Sequence, residues 1–371
     1  MIWLFLLLLL SNFIATMYIV LASRVGPFDL ISPASRMKSF DFTPLDIKDL
    51  YAIDTTICNP NWSLHFEHIP MNGFANSFRA LRGIVTLALM FNASVTSRDS
   101  STSSSVATWK SYCSELDESL SCICRNSSNT VSTDYGTRVD NIYQFYDDAL
   151  DKRITNGTYI IKCYYDAYTH FQSQKGLVAL RESSLVGATE TWTDAIIRMS
   201  RLLFKPNKRI FDLVSPYRKK PNSIQLGVQI RTGGKLANSK EAAVFLDDSS
   251  MPIILSTIND QLRKLPATTE LYISSDSDIM IRRIVQEYSN RKVHYLNCTS
   301  RGHSEKSISG LECGLMDIVL ISESDYLIYT KGSSFGFLIS NLMGLTTVPT
   351  IPSKVRWAAN SNTTSNPVPS I

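Results

Sequence analysis

The stretch Ser223–Lys235, SIQLGVQIRTGGK, leaves its backbone little choice. Ile224, Leu226, Val228 and Ile230 alternate with Gln225, Gly227, Gln229 and Arg231. Strand side chains point alternately to opposite faces, so this run is a β-strand with one wholly apolar face. Gln229 and Arg231 fall on the other face, near the carboxyl end. Thr232-Gly233-Gly234 then breaks the strand with residues that tolerate positive φ and close backbone approach. Downstream, Leu271–Ser275, Val293–Leu296 and Tyr326–Tyr329 read as short strands. Met251–Leu265, Ile279–Tyr288, Ser309–Ile321 and Phe337–Met343 read as the helices between and after them. Strands alternating with helices at this spacing form parallel βαβ units, so the fold class is α/β with a Rossmann-like C-terminal half. Ligands of such sheets bind beyond the carboxyl ends of the strands.

That rule selects the candidate site. Arg231 ends the first strand, and its planar fork suits a phosphate through paired charge-assisted hydrogen bonds; the ordinary alternative is an ion pair with a neighbouring helix. Ser333-Ser334-Phe335-Gly336 opens a helix directly after a strand, where backbone N–H groups and two hydroxyls could receive a phosphate or simply cap the helix. Asp276-Ser277-Asp278 matches the DxD of metal-dependent glycosyltransferases, and Ser275 or Asp276 could equally cap the helix that follows. Asp317 lies among Leu315, Ile318 and Val319, so it needs a partner or a ligand unless it faces solvent.

Upstream, Asn72-Gly73 marks a turn into a helix over Phe78–Met90, with a broad apolar stripe and with Arg79 and Arg82 off it. Asn76 is either the cap of that helix or a ligand contact. Ser94–Thr108 is Ser/Thr-rich and reads as a flexible insertion, Tyr159–Tyr164 as a strand, and Val186–Leu203 as a helix. Pro221 punctuates the boundary before the central strand.

Composition narrows the class. Hydrophobic residues at 44% and charged residues at 19% of 371 describe a globular chain long enough for two domains. A net charge of +4 with no Lys/Arg cluster argues against nucleic acid as a partner. Seven cysteines without a CxxC point to disulfides, including one in the loop Tyr112–Thr137, rather than to a zinc site. Sequons at Asn61, Asn92, Asn126, Asn156, Asn297 and Asn362 agree with a lumenal setting. Residues 1–22 are almost continuously apolar, long enough for an uncleaved signal anchor, with cleavage after Ala22 and secretion as the alternative. The resulting division is 1–22 signal anchor, 23–51 stem, 52–215 N-terminal domain, 222–350 C-terminal Rossmann-like domain and 351–371 flexible tail.

Taken together, NGFANSFRALR, SIQLGVQIRTGGK, LYISSDSD and DIVLISESDYLIYTKGSSFGFLISNLMG, in that order, resemble the fucosyltransferase superfamily of GT-B fold. The superfamily includes the plant xyloglucan, core-type and protein O-fucosyltransferases. The resemblance implies two Rossmann-like domains facing a cleft, and an inverting, metal-independent transfer of fucose from GDP-fucose to a glycan hydroxyl. It implies a Golgi type II membrane protein with no cofactor. Arg231 matches the arginine on the β-phosphate, and Gln229 a position near the guanosine. Asp317 matches a guanine contact, Ser333, Ser334 and Phe335 the phosphate loop, and Asn76 the Gly-Asn loop, where Ala75 replaces the usual glycine. Asp276 matches an acidic position with an acceptor-side or structural role. A metal-dependent transferase using Asp276 and Asp278, or an inactive lumenal sugar-binding protein, are the competing classes.

Overall fold

The computed structural model describes residues 59–67, 74–91, 93–98, 137–139, 141–154, 156–161, 171–204, 206, 208–233, 243–298, 308–353 and 356–357. The expected anchor (1–22), the stem, the Asn72-Gly73 turn and the cysteine loop at 112–136 lie outside these residues. Among the described residues, no helix is long and apolar enough to cross a membrane.

The first half contains β1 (Asn59–Glu67), α1 (Phe74–Phe91), β2 (Ala93–Arg98), β3 (Thr137–Val139), α2 (Ile142–Leu150), β4 (Gly157–Ile161), α3 (Gln174–Glu182), α4 (Trp192–Leu203) and α5 (Lys208–Val214). The second contains β5 (Gln225–Ile230), β6 (Ala243–Val244), α6 (Met251–Leu262), β7 (Glu270–Ser275), α7 (Asp278–Glu287), β8 (Val293–His294), α8 (Ile308–Ser322), β9 (Tyr326–Thr330), α9 (Ser334–Met343), β10 (Thr350–Ile351) and β11 (Arg356–Trp357).

Two parallel sheets result. The first has the order β2-β1-β4-β3, the second β10-β9-β5-β7-β8. Numbered from β5 within its own sheet, the second reads 3-2-1-4-5 from the β8 edge, the doubly wound order of a dinucleotide-binding half. The order reverses between β5 and β9, so that crevice is where a ligand is expected.

Both faces of β5 are buried, as its place in the middle of a parallel sheet requires. Leu226, Val228 and Ile230 join Ile254, Ile258, Met280 and Ile284 in an apolar core under α6 and α7. The opposite face is polar and lies under α8 and α9. There Ser324 donates to Gln225 Oε1 at 2.9 Å, and Gly227 leaves room for Ile321, which a Cβ would approach to 2.7 Å.

α9 joins this sheet to the first half. Arg79 and Arg82 of α1 lie over the Phe337 ring at 5.5 and 5.9 Å, and Arg201 of α4 donates to the Leu342 carbonyl at 2.9 Å. Arg82 is fully buried and donates to Ser200 Oγ at 2.6 Å, which corrects its expected place off the buried face: α1 is covered almost all round, and an arginine there needs ring and hydroxyl partners. Close packing continues at Gly336, where an added Cβ would lie 2.5 Å from Tyr329 Cβ. Gly336→Ala is therefore expected to destabilise the protein by about 1–3 kcal/mol, the usual cost of overpacking. A urea midpoint equal to that of the parent would show that α9 can lift off β9 freely.

Four further expectations are corrected. The Ser/Thr-rich stretch opens as strand β2, held parallel to β1 from Ser63↔Ser94 to Glu67↔Arg98, because Val95 and Thr96 are good strand formers and the ladder to β1 supplies the pairing that composition does not show. The helix expected over 186–203 is α4 alone, with α3 before it; Ser184 at φ 61° ends that earlier segment. The expected tail contains β11, which pairs antiparallel with β6. Asn76 is the third residue of α1 rather than its cap, since the helix starts four residues earlier than the apolar stripe suggested. Of the expected disulfides, Cys298–Cys313 is within the described residues. It ties the segment after β8 to α8, and a loop with a sequence separation of 15 contributes about 3 kcal/mol in the chain-entropy picture.

Candidate functional site

Three neighbouring strands of the second sheet end side by side, and each delivers one candidate. Arg231 follows β5, Asp276 follows β7, and Ser333 follows β9 after the two-residue turn Lys331-Gly332. The Arg231 N–H donates to Thr330 Oγ1 at 2.9 Å, so the ends of β5 and β9 are tied together at the switch point.

Asp276 is the anchor of this edge. Its Oδ1 accepts from the Thr232 N–H at 2.9 Å and the Thr232 hydroxyl at 2.8 Å, and its Oδ2 accepts from the Gly233 N–H at 3.0 Å. Arg231 Nη1 lies 3.1 Å from the same Oδ2, with the two side chains 13% and 8% exposed. The Arg231 guanidinium also lies 6.0 Å from the Phe245 ring centroid. Gly233 takes φ +64°, which lets the chain turn back so that Gly233 bridges Val244. The sequence explains this arrangement only in retrospect: Thr232-Gly233 supplies the donors and the positive φ, but the acceptor lies more than forty residues on.

The arginine thus has an ion pair, made with the loop after β7 rather than with the neighbouring helix of its ordinary alternative. A guanidinium carries five N–H donors in a rigid fork, and a carboxylate behind it fixes the direction of that fork. The DxD motif is divided between two tasks. Asp276 serves the β5 loop, whereas Asp278 is exposed in the first turn of α7. The cap of α7 is neither Ser275 nor Asp276 but Ser277, whose hydroxyl accepts from the Met280 N–H. Among the described residues, no cluster of three or more His, Cys, Asp or Glu could hold a metal ion.

On the β9 side, Ser333 is buried and caps α9 by accepting from the Gly336 N–H at 3.2 Å. Ser334 is the first helical residue, and Phe335 packs towards Gly314 of α8. Gly332 at φ +82° makes the turn. The partial positive charge of the α9 amino end therefore faces the same edge as Arg231.

Beneath this edge runs the polar face of the sheet. Gln229 pairs in register with Ser274 on one side and Tyr329 on the other. It is 3% exposed, and its Oε1 is a buried acceptor without a hydrogen bond among the described residues. Such an atom costs about 1–3 kcal/mol, so it marks a place where a ligand's donor would be welcome. Asp317 is 4% exposed, so it does not face solvent; it accepts from the Tyr272 hydroxyl at 2.9 Å and the Ser274 hydroxyl at 2.7 Å. Burial pushes the Tyr329 phenol pKa up, and a hydrogen bond with Ser340 acts the other way.

Asn76 is half-buried in the first turn of α1. Arg79, one turn on, stacks on Phe337, itself one turn on from Ser333, so the starts of α1 and α9 are brought together. Sequence reasoning took Arg79 only as a residue off the apolar stripe. Its spacing of three from Asn76 is the available signal that the two share one face of α1.

No protein-family model matches the chain, and no curated protein matches it in sequence. Solved structures do match in fold. The Arabidopsis thaliana FUT1 structure in complex with GDP aligns at a TM-score of 0.53 with 13% identity, covering 78% of this chain and 69% of that one. The fucosyltransferase NodZ from Bradyrhizobium aligns at 0.52 with 12% identity, covering 81% and 100%. The chain therefore has a fucosyltransferase-like GT-B fold, an α/β architecture with parallel sheets.

Proposed function

We propose that the protein transfers fucose from GDP-fucose to a hydroxyl of a glycan acceptor, with inversion and without a metal ion. The observation that carries this reading is the anchored arginine: Arg231, aimed by Asp276, stands at the switch point beside the amino end of α9. The fold is shared with fucosyltransferases, one of them solved with GDP, which supports the choice of nucleotide.

In this reaction the acceptor oxygen forms a bond to the anomeric carbon as the bond to the β-phosphate oxygen breaks. GDP leaves with the bonding electrons, and the acceptor proton passes to a base on the N-terminal side of the cleft. Charge grows on the diphosphate in the transition state. Arg231 and the Ser333–Ser334 turn stabilise it there, with the fixed geometry that makes such groups effective. Gln229 and Asp317 take the guanosine side, Phe335 shapes the phosphate turn, and Asn76 with Arg79 closes the site from α1. Asp276 acts through Arg231, as a structural residue. Because its oxygens already hold three donors and a cation, it is a poor metal ligand.

The domain division at 215–222, the apolar anchor at 1–22 and a Golgi lumenal location complete the proposal, and they rest on the sequence. The test is thermal stabilisation by GDP, UDP and CMP in the presence of EDTA. GDP alone is expected to raise the melting temperature, with about 2.7 kcal/mol gained at roughly one hundred times Kd. A shift that needs Mn²⁺ would move the assignment to a metal-dependent transferase. No shift with any nucleotide from folded protein would overturn donor binding.

A further inference from the structure

At the opposite end of the same strands lies a cavity of about 280 Å³ that the proposed transfer does not use. Its floor is fixed by register. Gln225 pairs with Glu270, and Tyr272 with His294, so these four side chains share the polar face at the amino end of the sheet. Lys292, two residues before His294 on an edge strand, joins them. Glu270 ties the floor together by accepting from Lys292 Nζ at 2.6 Å and contacting His294 Nε2 at 2.8 Å. Burial raises the Glu270 pKa, but the hydrogen bonds from Lys292 and His294 outweigh it, so the carboxyl sits below its usual range.

The wall is the turn Pro216–Lys220, which enters β5. Arg218 and Lys219 are held from behind by Glu323 and Asp325, at 2.7 and 2.6 Å. The Lys220 ammonium has no carboxylate partner among the described residues. Of the four lining cations, Arg218, Lys219 and Lys292 are paired with Glu323, Asp325 and Glu270, which leaves the charge of Lys220 uncompensated at the rim among the described residues. Two tyrosines flank the opening with much of their rings in water: Tyr217 is 51% exposed and Tyr295 40%. β5 spans about 3.3 Å per residue over six residues, so this cavity is roughly 20 Å from the Arg231 edge.

We propose that this cavity is a second binding site, for a sugar ring bearing an anionic group, either a uronate carboxylate or a sulfate ester. The volume lies just below the roughly 300–1,000 Å³ of ordinary small-molecule sites, which admits a single ring rather than a long polymer segment. Exposed tyrosines offer amphipathic ring faces to the C–H surface of a sugar. The Glu270 carboxylate, which keeps a lone pair on each oxygen beyond its contacts with Lys292 and His294, suits a sugar hydroxyl. The surplus of positive charge at the rim, centred on Lys220, selects an acid over a neutral sugar. The site stands whether or not the Arg231 edge binds a nucleotide sugar.

The experiment titrates the full chain with glucuronate, glucose 6-sulfate, glucose and inorganic sulfate, following the Tyr217 and Tyr295 environment by NMR or binding heat by calorimetry. One or both acidic sugars are expected to bind at least tenfold more tightly than glucose and than sulfate alone; which of the two binds identifies the anionic group. Lys220→Ala is expected to weaken that binding about tenfold, and Tyr217→Ala roughly fivefold, the scale of one aromatic contact. Both residues are exposed, so the variants should melt with the parent and keep any GDP-induced shift. Equal binding of glucose, equal binding of bare sulfate, no binding at all, or variants that bind as the parent does would each overturn the proposal.

Discussion

Arg231→Ala is expected to lower the rate of the proposed fucosyl transfer by about 10²–10³ while the protein stays folded. The size follows from where the charge sits. A donor fixed against the growing negative charge of a leaving group is worth about 2.7–4 kcal/mol in the transition state. Arg231 has the fixity, because Asp276 and the Thr330 hydroxyl set both its side chain and its backbone. The fold survives because Asp276 keeps its three donors from Thr232 and Gly233 when the guanidinium is gone. Arg231→Lys separates charge from geometry: a point charge on a flexible stem restores part of the rate but not the paired hydrogen bonds. The measurement is kcat with GDP-fucose and a glycan acceptor, beside a melting curve. A variant within threefold of the parent in rate would remove Arg231 from the mechanism.

Asp276→Ala reaches further, because it strikes the support rather than the tool. The change removes the Asp276 carboxylate from beside Arg231 in a largely buried position, and it leaves the Thr232 N–H, the Thr232 hydroxyl and the Gly233 N–H without that acceptor. Breaking a buried charge pair by removing one partner typically costs about 3–5 kcal/mol, and this pair carries three further hydrogen bonds. Denaturant unfolding should show a loss of that order, with the slope unchanged. At temperatures where the variant remains folded, kcat should also fall, since the arginine fork is no longer aimed. Asp276→Asn, which retains one acceptor oxygen for Thr232, should fall between the two. A stability loss under about 1 kcal/mol for the alanine variant would mean that the loop is held by something other than Asp276.

Much of the second sheet could be read directly from the residues. The expected strand Leu271–Ser275 is one residue short of β7, and Tyr326–Tyr329 one short of β9. The helix expected over Ser309–Ile321 lacks one residue at each end of α8. These are buried parallel elements, whose continuous apolar runs stop at Ser, Gly or Asp, so pattern and fold agree. The first sheet was less legible. Strand β1 begins with Asn-Pro-Asn, which carries no strand signal, and β2 is half Ser and Thr at the start of a Ser/Thr-rich stretch, so composition reads as loop where the ladder makes a strand. The candidate site divides in the same way. Arg231 and Ser333 were placed correctly at strand ends, since a strand's end is a local property. What the Asp276 carboxylate does was hidden, because its partners belong to another strand. The burial of Arg82 was hidden for the same reason: its ring partner belongs to α9.

The strand order has a consequence for how the chain is made. β5 is the first strand of its sheet to be synthesised, yet it ends in the middle, with Leu226 paired to Leu271 on one side and to Tyr326 on the other. At the usual pace of about 5–20 residues per second, the hundred residues from Leu226 to Tyr326 take roughly 5–20 seconds to emerge. Throughout that interval, one edge of β5 has no permanent neighbour. Unpaired strand edges of this kind template aggregation. The nascent protein is therefore exposed to misassembly until β9 arrives, even after β7 has covered the other edge, and a chaperone that covers an apolar strand would act in that window.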